Sequence, residues 1–83
     1  MNVFNPLIDE KGEDFNAYGK IHRGYYSDIE GKMISFQPPE FPLNRGDIIT
    51  RVRDGAKLRV ESTDLRKNAD DVVVSFAAKV VPL

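Results

Sequence analysis

The sequence predicts an all-β domain, a small antiparallel barrel or sandwich of about five to seven short strands. Three observations indicate this class. Several short runs alternate apolar and polar residues with the period of a strand, glycine and proline turn signals separate the runs, and no run has the pattern of an amphipathic helix of three turns. We expect at most one short helical turn, near residues 64–69.

The composition predicts a single β domain that spans residues 1–83 and has a modest core. There is no cysteine, which excludes disulfides and thiolate metal sites, and the formal net charge is −1. The first residues lack the pattern of a secretion signal, and no apolar run approaches the length of a membrane-spanning helix. We therefore expect a cytoplasmic protein without membrane contact.

The first half of the chain is predicted to be extended. Residues 3–8 read as an edge strand because they contain a proline, and residues 15–27 read as one bent or bulged strand that accommodates two glycines. A turn at Glu30-Gly31 leads to a short strand over residues 32–37. The prolines of residues 38–42 then predict an extended connector that ends the ladder.

A β-hairpin is predicted at the centre, with residues 47–52 going out and residues 56–62 returning. A two-residue turn would set charged side chains against the core face, whereas a three-residue turn at 53–55 makes that face apolar or neutral. We therefore predict the three-residue turn, with a left-handed Gly55. The predicted partners are Val52 with Ala56, Thr50 with Leu58, and Ile48 with Val60.

The chain is predicted to end in a strand that lies in the middle of the sheet. Residues 63–71 are polar and favour turns, with one helical turn capped by Thr63 or Asp64 as the most structure expected there. Residues 71–83 then carry apolar side chains on one face and on most of the other. Such a strand is central in its sheet or is covered by another subunit.

Four cations of the central hairpin form the first candidate site. The predicted register places Arg51, Lys57 and Arg59 on the solvent side of the ribbon and Arg53 at its tip. A cationic ribbon suits phosphates or an acidic protein surface. The alternative is a solvated face whose charges protect the hairpin from edge pairing, and a sequence pI near 5.7 disfavours a dedicated DNA-binding protein.

An aromatic stretch forms the second candidate site, as a protein-contact surface. It contains Tyr18, Arg23, Tyr25 and Tyr26, and tyrosine and arginine are favoured in binding hot spots. The alternative is that the tyrosine rings pack on the barrel with their hydroxyl groups in water.

Catalytic, metal and cofactor sites are not expected. His22 is the single histidine and reads as a surface residue, and no serine lies in the sequence context of a nucleophile. The acidic residues of the N-terminal segment lack the ligand spacing of a calcium loop. We therefore expect a protein that is not an enzyme and binds no cofactor.

The positions of several prolines and glycines resemble those of a known group of proteins. They are Phe36-x-Pro38, Pro42-Leu43, Gly46-Asp47-x-Ile49-x-Arg51, Gly55, and the closing strand through Ala78-Lys79-Val80. Over residues 33–83 the chain resembles small uncharacterised bacterial and prophage β-domain proteins. In its order of elements it is similar to phage head–tail joining proteins, which are small β-barrels that assemble into rings. No functional residue is carried over from either group.

Three functions are therefore considered. The first is a β-module that works through protein contacts or self-association. The resemblance implies that this module is a phage or prophage assembly protein, which would be found in the virion after assembly. The second is a nucleic-acid or anion-binding β-ribbon. The third is a small protein inhibitor that would use the acidic first thirty residues.

Overall fold

Antiparallel strands close into a barrel in the computed structural model, which describes residues 6–28, 31–37 and 41–83. Over these residues the predicted all-β fold is confirmed, and of the two predicted architectures it is the barrel and not the sandwich that forms. The elements are the short helix α1 (Pro6–Lys11) and six strands, β1 (Glu13–Ala17), β2 (Lys20–Ser27), β3 (Met33–Phe36), β4 (Ile48–Arg51), β5 (Lys57–Lys67) and β6 (Val73–Pro82).

The strand order around the barrel is β1-β2-β3-β6-β5-β4, and β4 returns to β1 through the pairs Phe15 with Arg51 and Asn16 with Thr50. β1 and β2 are joined by the two-residue turn Tyr18-Gly19, whose φ angles are 57° and 75°. Two successive positive φ angles are typical of the hairpin turn whose twist matches that of the strands. β6 lies between β3 and β5, so its predicted central position is confirmed.

Aromatic and aliphatic side chains from all six strands fill the barrel. Those with less than 2 % exposure and the largest volume are Phe15, Phe36, Ile34, Ile49, Val60 and Val80. Gly24 of β2 leaves the space that two of the rings occupy. A Cβ atom there would lie 2.8 Å from Cγ2 of Ile34 and 3.2 Å from ring carbons of Phe15 and Phe36. Glycine at this position therefore permits the close packing of the core.

The predicted register of the central hairpin is wrong by one residue. Ile49 pairs with Leu58, and Ile48 pairs with Arg59. Ile49 is 0 % exposed, whereas Ile48 is 41 % and Val52 50 % exposed, so these two do not join Leu58 and Val60 in the interior. The turn spans residues 52–55, because Arg51 N donates to Ala56 O at 2.8 Å. Gly55 does adopt the predicted left-handed conformation, with φ of 72°.

Two contacts explain why the four-residue turn forms. Val52 N donates to Asp14 O at 3.1 Å, so the chain at the end of β4 follows β1 and not β5. Within the turn, Asp54 Oδ1 accepts a hydrogen bond from Ala56 N at 3.0 Å. The barrel persists because Ile49 supplies the apolar side chain that Ile48 was predicted to supply.

The N-terminal segment also differs from the prediction. Residues 6–8 belong to α1 and not to an edge strand, because Pro6 occupies the first helical position, where no backbone donor is needed. Residues 15–27 are divided between β1 and β2 and do not form one bent strand. Parts of three predicted features, namely residues 3–5, Glu30 and residues 38–40, lie outside the described residues.

Residues 63–67 continue β5, so the helical turn that was allowed near residues 64–69 does not form. They pair along β6, with Leu65 opposite Phe76 and Lys67 opposite Val73, after a register shift between Val60 and Ser62. The side chain of Asn68 closes the turn by accepting hydrogen bonds from Asp70 N at 2.9 Å and from Val72 N at 3.1 Å. The long β6 ladder thus overrides weak local strand propensity.

This β5–β6 ribbon extends past β4. Ile48, the first residue of β4, pairs with Arg59, and the backbone of Gly46 and Asp47 bonds to Val60. Beyond that point residues 62–67 pair with β6 alone in the part of the chain that the structure describes. We call residues 62–75 the arm, and the side of residues 62–67 that faces away from β6 the β5 outer edge.

Candidate functional site

Arg51, the first cation of the predicted ribbon, turns toward one end of the barrel interior. The corrected register places it on the same side of β4 as Ile49, and its side chain is only 17 % exposed. Its Nη2 lies 2.8 Å from Asp54 Oδ2, and its guanidinium carbon lies 5.5 Å from the centre of the Tyr26 ring. The hydrogen bond from Arg51 lowers the pKa of Asp54 to about 2.

Glu13 contributes a second carboxylate to the same end of the barrel. Its Oε1 is buried and accepts no hydrogen bond, but it lies 4.0 Å from Arg51 Nε and 3.5 Å from Arg53 Nε. Two carboxylates, Glu13 and Asp54, therefore neutralise these two cations. Two of the four cations predicted for the ribbon are thus paired with carboxylates at this end of the barrel.

The other two cations, Lys57 and Arg59, lie on the outer face of β5 as predicted. Lys57 Nζ lies 3.4 Å from Thr50 Oγ1, and Arg59 Nη2 lies 3.6 Å from Glu61 Oε1. The four predicted cations are therefore split between two locations, one at the barrel end and one on the outer surface. They do not form the single cationic face that the wrong register predicted.

The tyrosine stretch is also divided by the fold. Tyr26 pairs with Ile34 and packs against the core, whereas Arg23 and Tyr25 lie on the outer side of β2. Arg23 Nη1 lies 3.4 Å from Asp14 Oδ1. On β2, two of the four residues predicted to form the contact surface therefore lie on the outer side of the barrel.

Tyr18, the fourth residue of that stretch, lies in the β1–β2 turn and is 58 % exposed. Its hydroxyl donates a hydrogen bond to Asp47 Oδ2, which also accepts from Asn44 N at 2.7 Å. These bonds lower the pKa of Asp47, and the bond to Asp47 raises the pKa of Tyr18. They tie the β1–β2 turn to the segment that precedes β4.

A shallow apolar cleft beside this turn was not predicted. It has a volume of about 390 Å³ and is lined by Ala17, Tyr18, Lys20, His22, Phe41 and Pro42. The rings of His22 and Phe41 stack with centroids 3.7 Å apart, and burial, followed by the charge of Lys20, lowers the pKa of His22. The cleft therefore offers a largely apolar surface to an apolar group. Sequence reasoning missed it because Phe41 reads as part of a connector and His22 as a surface residue.

The arm carries the clearest unpartnered feature of the described chain. Along its β5 outer edge the backbone groups of residues 62–67 have no second ladder partner among the described residues. Two large aliphatic side chains of the arm are exposed, Leu65 at 43 % and Val74 at 40 %. Beside Leu65, Asp64 Oδ2 and Arg66 Nε lie 3.3 Å apart. An edge of this kind is able to accept a further strand.

Among the described residues neither a metal-binding cluster nor a membrane-spanning helix occurs. No group of three or more histidine, aspartate or glutamate side chains is placed to hold a metal ion there. In the same part of the chain no helix has the length and apolar character needed to cross a membrane.

Comparisons with known proteins return no match. No protein-family model, no curated protein sequence and no solved structure matches this chain.

Proposed function

We propose that this protein is a non-enzymatic β-barrel module that works through protein–protein contacts, with the β5 outer edge of the arm as its contact surface. The observation that carries the proposal is the row of backbone donors and acceptors along residues 62–67, which pair with β6 on one side and with no other strand of the described residues. A partner strand added to such an edge gains main-chain hydrogen bonds, and its side chains meet those of the edge.

The position of the arm supports this surface over the barrel wall. In the barrel, closure pairs β4 with β1, so every strand there has a neighbour on each side for at least part of its length. Among the described residues, the one-sided stretch at the start of β2, residues 20–22, is shorter than that of the arm, residues 62–67. On the arm, Leu65 adds an exposed apolar side chain beside the unpaired backbone. Backbone hydrogen-bonding groups and an exposed apolar side chain thus occur together on the arm. This combination suits the recognition of an extended peptide segment.

We propose assembly of a phage or prophage particle as the biological setting, with the protein in the cytoplasm before assembly and in the virion afterwards. The support is the resemblance over residues 33–83, a region that contains β3 to β6. Head–tail joining proteins are small β-barrels that work through contacts with other protein subunits, and a projecting ribbon would suit such a contact. Capsid and tail genes beside the gene for this protein would agree with this setting.

Replacing Leu65 by Lys is expected to weaken partner binding about tenfold or more, which corresponds to about 1.4 kcal/mol. The lysine removes an apolar contact and places a cation on the edge, a device by which natural edge strands avoid pairing. The measurement is calorimetric titration of the purified protein with each protein encoded beside its gene.

The matched control is Ile21→Lys, because Ile21 is also an exposed aliphatic side chain, at 55 %, but lies on β2. It should bind as the wild type does, and both variants should melt near the wild-type temperature. Equal binding by wild type and Leu65→Lys, or equal loss in both variants, would contradict a contact through the β5 outer edge.

A further inference from the structure

The sequence of the β5 outer edge is complementary to itself when it is read in the antiparallel direction. Leu65 is flanked by Asp64 on one side and Arg66 on the other. A two-fold axis through Leu65 would place Asp64 opposite Arg66 of a second copy, and Arg66 opposite its Asp64. Opposite charges that face each other across antiparallel strands are favourable, and like charges are unfavourable.

We infer that the β5 outer edge pairs with the same edge of a second copy of this chain, about a two-fold axis at Leu65. The inference rests on the proposed function, since it names the partner of the edge already proposed as the contact surface. The pairing is isologous, as in most symmetric dimers, because the same residues contribute from both copies.

Charge selects this register over its neighbours. An axis through Asp64 would place two aspartates opposite each other, and an axis through Arg66 would do the same with two arginines. A register shifted by one residue would set Leu65 against Arg66 or against Asp64. The axis at Leu65 is the register among these that pairs leucine with leucine and each charge with its opposite.

The neighbouring strand extends the apolar pairing. Leu65 lies opposite Phe76 of β6, which is 5 % exposed. The joined sheet would have the strand order β6-β5-β5-β6, with a row of side chains Phe76, Leu65, Leu65 and Phe76 across one face. On the other face Asp64 and Arg66, which form an exposed pair within one chain at 3.3 Å, would gain partners across the axis.

Two single charge reversals test the register. In Asp64→Arg positions 64 and 66 both carry cations, and in Arg66→Asp they both carry anions, so each variant alone would face like charges across the axis. Each is expected to remain at the chain mass of 9.4 kDa in sedimentation equilibrium. Mixed in equal amounts, they are expected to form a heterodimer of 18.8 kDa, twice that mass, because positions 64 and 66 then face each other with opposite charges.

The wild type is expected to dimerise as its concentration rises to the roughly millimolar range, where weak contacts are populated. The double variant Asp64→Arg/Arg66→Asp should dimerise as the wild type does. Both side chains are exposed, Asp64 at 53 % and Arg66 at 73 %, so the barrel should keep its fold. Circular dichroism on each variant checks this.

A wild type that stays at 9.4 kDa throughout, or a mixture that gives no 18.8 kDa species, would overturn the self-pairing. The proposed function would survive that result if Leu65→Lys still weakened binding to another protein. Conversely, dimerisation that follows the charge pattern would uphold self-pairing even where the proteins encoded beside the gene do not bind.

Discussion

Replacing Phe36 by Ala is expected to reduce the free energy of unfolding by about 3–5 kcal/mol. The Phe36 side chain is 1 % exposed, and its ring centre lies 6.0 Å from that of Phe15, 5.0 Å from that of Phe41 and 5.9 Å from that of Phe76. Removing the Phe36 ring leaves a cavity that is lined by the other three rings. A domain of 83 residues has a total stability of only about 4–12 kcal/mol, so this single substitution should remove a large part of the free energy of unfolding.

Equilibrium unfolding in urea measures this effect through the shift of the midpoint. The control is Phe36→Leu, which keeps most of the apolar volume and should lose much less stability. A loss below about 1 kcal/mol for Phe36→Ala, which is the scale of an average substitution, would mean that Phe36 does not lie at the centre of the core.

Replacing Ile49 by Ala is expected to cost about 2–5 kcal/mol, and replacing Ile48 by Ala much less. The two residues are adjacent and chemically identical, but Ile49 is 0 % exposed and Ile48 is 41 % exposed. The pair of substitutions therefore reports which side chain the hairpin register directs into the barrel. Each variant serves as the control for the other.

Urea unfolding of both variants decides between the two registers. The larger loss in Ile49→Ala agrees with the pairing of Ile49 with Leu58. The larger loss in Ile48→Ala would instead support the pairing of Ile48 with Val60 that the sequence predicts, and would contradict the four-residue turn.

The register of the central hairpin could not be predicted from the sequence. Because Ile48 and Ile49 are both isoleucine, hydrophobic alternation gives little basis for choosing the face of β4 that is buried. The choice depends on β1, since Val52 N bonds to Asp14 O and the Phe15–Arg51 pair closes the barrel. These contacts join residues far apart in sequence, and local turn geometry does not reveal them.

The error in the candidate site follows from the error in register. Once Ile49 is inside, Arg51 shares its side of β4 and meets Glu13 and Asp54. By contrast, Lys57 and Arg59 belong to β5, whose clear alternation gave the correct face from sequence alone. Residues with an unambiguous periodic context were therefore predictable, and those whose face depends on a distant partner were not.

The arm has a similar explanation. Residues 63–67 are mostly polar and have little strand propensity of their own, so the sequence allowed a turn or a helical turn there. The apolar run of residues 71–83 predicts a central strand, but the length of β6 also provides ladder partners for residues 63–67. Tertiary pairing thus turned a predicted loop into the edge that we propose as the contact surface.

Residue-resolved amide hydrogen exchange on the dilute protein tests the central claim most directly, namely a closed barrel with an unpaired β5 outer edge. The Val60 amide, which donates to Asp47 O at 2.8 Å, should exchange slowly, whereas alternate amides in residues 62–67 should exchange fast. Those fast amides should slow when a partner strand or a second copy binds. Uniformly slow exchange through residues 62–67 in the dilute monomer would show that the edge is already covered and would contradict the account.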